Sequence, residues 1–96
     1  MTVDLEALPV YNNETEGQFE IAVGDEVARL EYTRANSTIT YTHTVVPATL
    51  EGEGIGGKLA RHALEFAREN NLKVVVRCPF VNSYLQRHPE YQSLLV

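Results

Sequence analysis

The sequence predicts one α+β domain with an α/β mixed sheet: antiparallel strands, then a β-α-β crossover, then a short C-terminal helix. Three observations carry that prediction. Apolar and polar residues alternate with a period of two from Gln18 to Val46, broken only by turn residues. Apolar residues then recur at intervals of three and four from Ile55 to Phe66, the spacing of an amphipathic helix. Directly after it, Leu72 to Val76 is mostly apolar and suits a buried parallel strand. A chain of 96 residues has room for one modest core and not for two.

Residues 1–16 show no sustained periodicity and end in the polar run NNETEG, so they are expected to form an N-terminal arm able to donate one edge strand. Residues 17–96 then make up the single domain. Phe19, Ile21 and Val23 alternate with Gln18, Glu20 and Ala22, the pattern of a half-buried strand, and Gly24-Asp25-Glu26 turns the chain. The return strand is expected over Val27 to Thr33, with Ala28, Leu30 and Tyr32 on one face, and Asn36-Ser37 makes the next turn. A third strand, Thr38 to Val46, is rich in β-branched residues. Strict alternation puts Ile39, Tyr41, His43 and Val45 on one face and Thr40, Thr42, Thr44 and Val46 on the other, and Pro47 ends it.

In the helix that follows, Ile55, Leu59, Ala63 and Phe66, flanked by Ala60, Leu64 and Ala67, form one broad face, while Lys58, Arg61, Arg68 and Glu69 lie off it. The helix should end near Asn70-Asn71, and strand, helix and strand then close as a right-handed crossover. In 79-PFVNSYLQRHPEY-91, Pro79 suits a first helical position and Pro89 a stop, which predicts a short helix.

Composition excludes several function classes. A net charge of −5 lacks the basic stripe that a nucleic-acid surface requires. No window approaches the ~20 apolar residues of a membrane span, and the start MTVDLEALPV has neither the basic region nor the apolar run of a signal peptide, so a cytoplasmic protein is expected. The lone cysteine, Cys78, offers no internal disulfide and no thiolate cluster for zinc, so no metal site is expected.

The stretch 50-LEGEGIGGKLARHAL-64 places Gly52, Gly54, Gly56 and Gly57 between a strand and a helix. Such a loop exposes backbone N–H groups at the positive end of a helix, where a phosphate is stabilised. It is not a P-loop, since no Ser or Thr follows the lysine, and its third glycine is misplaced for a dinucleotide fingerprint. A tight turn with close helix packing remains the alternative. Cys78 falls where a strand ends and a helix begins, beside Arg77. That position favours a thiolate and predicts a reactive thiol, against the alternative of a small buried hydrophobe.

The segments 43-HTVVPATLEGEGIGGKLARHALEFAREN-70 and 72-LKVVVRCPFVNSYLQRHPEY-91 resemble the small, single-domain, YjdJ-type members of the GNAT (Gcn5-related N-acetyltransferase) superfamily. The most specific elements are the HT-x-VP turn, the G-x-G-I-G loop and the CPF…Y…RHPEY ending. The resemblance implies a compact GNAT-like fold and acetyl-CoA (coenzyme A) as co-substrate. The pyrophosphate would lie on the backbone of Gly52, Gly54, Ile55, Gly56 and Gly57, and the pantetheine arm would run along Thr44, Val45 and Val46, between two splayed parallel strands. Lys58 and Arg61 would add phosphate contacts. The matching cysteine, Cys78, would sit beside the acetyl thioester, with His43 near enough to move a proton.

Glu51 departs from the family pattern, which has Arg or Gln there, and together with Glu53 it brings negative charge towards a pyrophosphate. The function so implied is transfer of an acetyl group to an amine, borne by a protein lysine or a small molecule, directly or through Cys78. The alternative is a catalytically idle CoA-binding or protein-interaction module.

Overall fold

The computed structural model describes residues 4–96. The first three residues of the predicted arm lie outside them. Five strands form one sheet in sequence order: β1 (Tyr11–Asn13), β2 (Gln18–Val23), β3 (Glu26–Ala35), β4 (Thr38–Val45) and β5 (Lys73–Val76). Helix α1 (Ile55–Glu69) links β4 to β5, and α2 (Pro79–Arg87) follows β5. Short 3₁₀ turns occupy Leu5–Ala7, Ala48–Leu50 and Pro89–Leu94. The first four strands are antiparallel, and β4 and β5 are parallel, as a crossover through α1 requires.

Local sequence explains most element ends. Asn36 and Gly24 adopt positive φ in the two hairpins, the conformation that Asn and Gly tolerate best. Asn71 does the same just past α1, whose last turn closes with Leu72 N–H donating to the Ala67 carbonyl. Pro79 stands at the start of α2 with Cys78 as its N-cap, and His88 is its C-cap.

One face of the sheet carries the core. Phe19 and Ile21 of β2, Ala28 and Leu30 of β3, Ile39 and Tyr41 of β4 and Val74 of β5 pack under Ile55, Leu59, Ala63, Leu64 and Ala67 of α1 and Val81 and Leu85 of α2. Each fully buried Leu or Ile contributes about 1.5–3 kcal/mol, so this face dominates stability. Tyr41 is wholly buried, and its hydroxyl donates to the Ala63 carbonyl of α1, so its one polar group is satisfied. The opposite face is bare: Val27 and Val45 are exposed beside charged neighbours.

The predicted alternation of β4 holds only to Tyr41. Tyr32 pairs with Tyr41, but Glu31 pairs with His43, so Thr42 is an extra residue, a β-bulge. Beyond it the faces swap. Thr44, opposite buried Leu30, joins the core face, while His43 and Val45 turn to the bare face, contrary to the face predicted for them.

Candidate functional site

The parallel pairing of β4 with β5 runs from Thr38 and Lys73 to Tyr41 and Val76 and then stops. The N–H groups of Arg77 and Cys78 both donate to the Tyr41 carbonyl, at 2.9 and 3.2 Å, and the chain turns away into α2. Residues 42–45 continue β4 with β3 as their partner. A gap therefore opens between the end of β4 and the start of α2, bordered on one side by strand backbone.

The glycine loop lies at the outer end of this gap. Gly54 caps α1 in the left-handed conformation, φ 82°, which only glycine adopts cheaply, and no side chain caps the helix. The first N–H groups of an α-helix lack intrahelical partners, so Ile55, Gly56 and Gly57 present a concentrated donor field. A cavity of about 190 Å³ meets them, lined by Val46, Glu51, Gly52, Ile55, Gly57 and Phe80 among others. A second, of about 560 Å³, is lined by Leu5, Gly57, Lys58, Arg61, Tyr84 and His88 among others. Tyr84 and His88 stack there with ring centroids 4.0 Å apart.

Two residues of the loop play different parts from those the spacing alone implied. Gly56 is buried, and a Cβ on it would meet the Phe80 ring at 2.7 Å, so its bareness serves the packing of α1 against α2. Gly57 has room, with only Tyr84 at 4.0 Å from a Cβ. Close helix packing, the alternative reading of the glycines, thus accounts for Gly56. Lys58 turns its ammonium to the backbone carbonyls of Leu5 and Leu8, which fastens the N-terminal segment over the loop. Arg61 is exposed at the larger cavity and makes no ion pair among the described residues. Glu51 is exposed and lines the smaller cavity.

Cys78 stands at the inner end of the gap. It is 2% exposed, the burial that its alternative reading as a small apolar group expects. Its neighbour is Thr44, whose Oγ1 lies 3.1 Å from Sγ. His43, the expected neighbour, faces the other side of the sheet, its side chain 72% exposed and its Nδ1 3.4 Å from Glu31 Oε1. The bulge at Thr42 is the physical cause: one inserted residue exchanges His43 for Thr44 at the thiol. No sequence signal marks the bulge, since Thr42 sits in a run of strand-forming residues without Gly, Pro or a turn signal, Thr38 to Val46. Glu31 carries no sequence signal either, because a lone glutamate in an alternating strand reads as an ordinary solvated residue.

No group of three or more His, Cys, Asp and Glu able to hold a metal occurs among the described residues, and no helix among them is long and apolar enough to cross a membrane.

Comparison with known proteins identifies the fold and the family. The solution structure of a GCN5-like protein from Staphylococcus aureus superposes with a TM-score of 0.72 at 33% identity, covering 93% of this chain and 88% of that one. Protein NATD1 of Xenopus tropicalis is 35% identical over 57 residues, covering 59% of this chain and 52% of that protein. Protein NATD1 of Danio rerio is 28% identical over 90 residues, covering 91% and 82%. The match to the Xenopus protein thus spans about half of that relative's length. The family model described as GCN5-related N-acetyl-transferase matches residues 18–94, from the start of β2 to the last 3₁₀ turn. The chain belongs to the GCN5-related N-acetyl-transferase family.

Proposed function

We propose that the chain takes the acetyl group of acetyl-CoA and places it on an amine. The observation that carries this reading is the coincidence of an uncapped, glycine-rich helix start with the place where β4 and β5 part. The N–H groups of Ile55 and Gly57 and the guanidinium of Arg61 would hold the phosphates, and the free edge of Thr44 to Val46 would receive the pantetheine amides. Lys58 would join them only by leaving its carbonyl partners. Cys78 at the inner end of the gap would lie next to the thioester, its sulfur oriented by the Thr44 hydroxyl.

The rival, a CoA-binding or interaction module without turnover, draws support from the burial of Cys78. Cys78 would then be a packed apolar group rather than a participant.

Calorimetry with CoA tests the cradle. Gly57 tolerates a Cβ, so Gly57→Leu should fold normally, push its side chain into the cradle and lose affinity by tenfold or more, about 1.4 kcal/mol. An undiminished affinity in the folded variant would reject the cradle. Intact-mass measurement after incubation with acetyl-CoA and no amine then addresses Cys78. An acetyl adduct that amine discharges establishes the covalent route. With no adduct, Cys78→Ala turning over amines at the parental rate removes the thiol from the mechanism.

A further inference from the structure

The N-terminal segment lies on the loop that the proposed coenzyme would use. Leu5 to Ala7 form a single 3₁₀ turn, in which the Ala7 N–H donates to the Asp4 carbonyl at 3.1 Å and the Leu8 N–H to the Leu5 carbonyl at 3.3 Å. The carbonyls of Leu5 and Leu8 both accept from the Lys58 ammonium. Leu5 also covers the start of α1, since a Cβ on its cap residue, Gly54, would meet Leu5 Cδ2 at 3.2 Å. Two cavities flank this crossing. Leu5 and Glu6 border the one of about 560 Å³, Val10 borders another of about 260 Å³, and Lys58 and Arg61 line both.

The hold on the segment is light. No residue of the turn is fully buried, Leu5 and Leu8 are half-buried, and pairing with β2 begins only at Tyr11. Few buried apolar contacts and a short run of exposed backbone bonds are the marks of a part that opens before the rest of a fold.

We infer that residues 4–8 are an autoinhibitory strap, closed in this structure, which a diphosphate-bearing ligand displaces by taking Lys58 from the Leu5 and Leu8 carbonyls. The inference rests on the acetyl-CoA reading above and adds the regulation of that site. Three features support it. The Lys58 ammonium now bonds neutral carbonyls, whereas a phosphate oxygen adds the attraction of opposite charges, so the ammonium favours the ligand. Glu6 borders the same cavity as Lys58 and Arg61, so a closed strap sets a negative charge where a negative ligand must enter. Leu5 stands against Gly54 and crowds the approach to the first N–H groups of α1. The ligand therefore gains its full contacts only in the open state, and that difference in affinity is what opens the strap. The coupling is reciprocal: whatever loosens the strap tightens the ligand, and the ligand loosens the strap by the same factor.

Leu5→Ala in the full chain tests the coupling, because it trims the strap where it meets Gly54 and leaves Lys58, Arg61 and the helix N–H groups intact. Leu5 is half-buried in a surface turn, so its truncation leaves the core of the fold untouched. By calorimetry the variant should bind CoA more tightly than the parent, by roughly threefold or more. Amide exchange reads the strap itself. In the parent, saturating CoA should quicken exchange at Ala7 and Leu8, whose N–H groups are bonded only while the turn is formed, and leave α1 protected.

Leu5→Ala binding CoA no more tightly than the parent overturns the strap and leaves the acetyl-CoA reading standing. So does exchange at Ala7 and Leu8 that CoA leaves unchanged or slows, and slowing would make the segment a lid that closes on the coenzyme. A parent that binds no CoA beside a Leu5→Ala variant that does shows the strap at its strongest. If neither binds CoA, the acetyl-CoA reading falls and the strap with it.

Discussion

Gly56 and Gly57 are adjacent and chemically identical, yet Phe80 fills the space above one and leaves the other open. That difference is invisible in the sequence, where the four glycines of the loop read as equivalent. What was legible was the loop's position between strand and helix, because glycine spacing and the apolar period that follows depend on local backbone alone. Which glycine is covered depends on α2, more than twenty residues away. Glu51 is a similar case with a measurable consequence. Its residue lines the cavity that meets the loop, so on the proposed reading it would repel a diphosphate held by the N–H groups. Glu51→Gln should tighten CoA binding by roughly two- to threefold at low salt, with the gain fading as added salt screens the exposed charge. Calorimetry at two salt concentrations checks this. An unchanged affinity at low salt would place the Glu51 carboxylate away from the phosphates.

At the scale of elements, periodicity located both helices and the four strands β2 to β5, and β2 and the start of α1 fall at the residues expected. It failed at one residue, Thr42, and that failure put Thr44 rather than His43 beside Cys78. Bulges arise from the pairing of two strands rather than from the propensity of one, so a run such as Thr40-Tyr41-Thr42-His43 carries no mark of them. The N-terminal segment was legible as an arm with an edge strand, and β1 is that strand. Its attachment was not, because it depends on Lys58, which alone reads as a solvated helix residue.

The ammonium of Lys58 holds the carbonyls of Leu5 and Leu8 while Leu5 approaches Gly54. Lys58→Met keeps the aliphatic stem and deletes these bonds. It should cost about 1 kcal/mol, less than a buried charged bond because the site is half exposed. Amide exchange over residues 4–8 should quicken while α1 stays protected. Equal exchange in parent and variant would show that packing of Leu5 and Leu8 suffices to hold the segment.

The whole molecule is a sheet with one face in a core and one face in water. Tyrosine hydroxyls as well as apolar contact fasten α1, one to the core face of the sheet and one to the last 3₁₀ turn. Tyr41 donates to Ala63 of α1, and Tyr91 donates to Glu65 of α1 at 2.6 Å. Burial pushes the Tyr41 phenol well above its ordinary value of 10.0. Burial, with the Glu65 carboxylate beside it, pushes Tyr91 up to about 12. The sign of the consequence is fixed. Above pH 10 the unfolded chain releases these protons while the folded chain keeps them, so the native state binds more protons and stability falls as pH rises. The contribution is fully present below pH 10 and is lost progressively as pH rises towards the folded values.

Urea unfolding followed from pH 8 to pH 11 should therefore give a level free energy that turns downward near pH 10, each phenol adding at most about 1.4 kcal/mol per pH unit. Tyr41→Phe removes one titrating group along with its hydrogen bond. The variant should start lower at pH 8, by about 1 kcal/mol, and decline less steeply above pH 10, so that the two curves converge. Parallel curves across the alkaline range would mean that Tyr41 ionises alike in the folded and unfolded chains, and that its hydroxyl, for all its burial under α1, is not what couples the helix to the sheet.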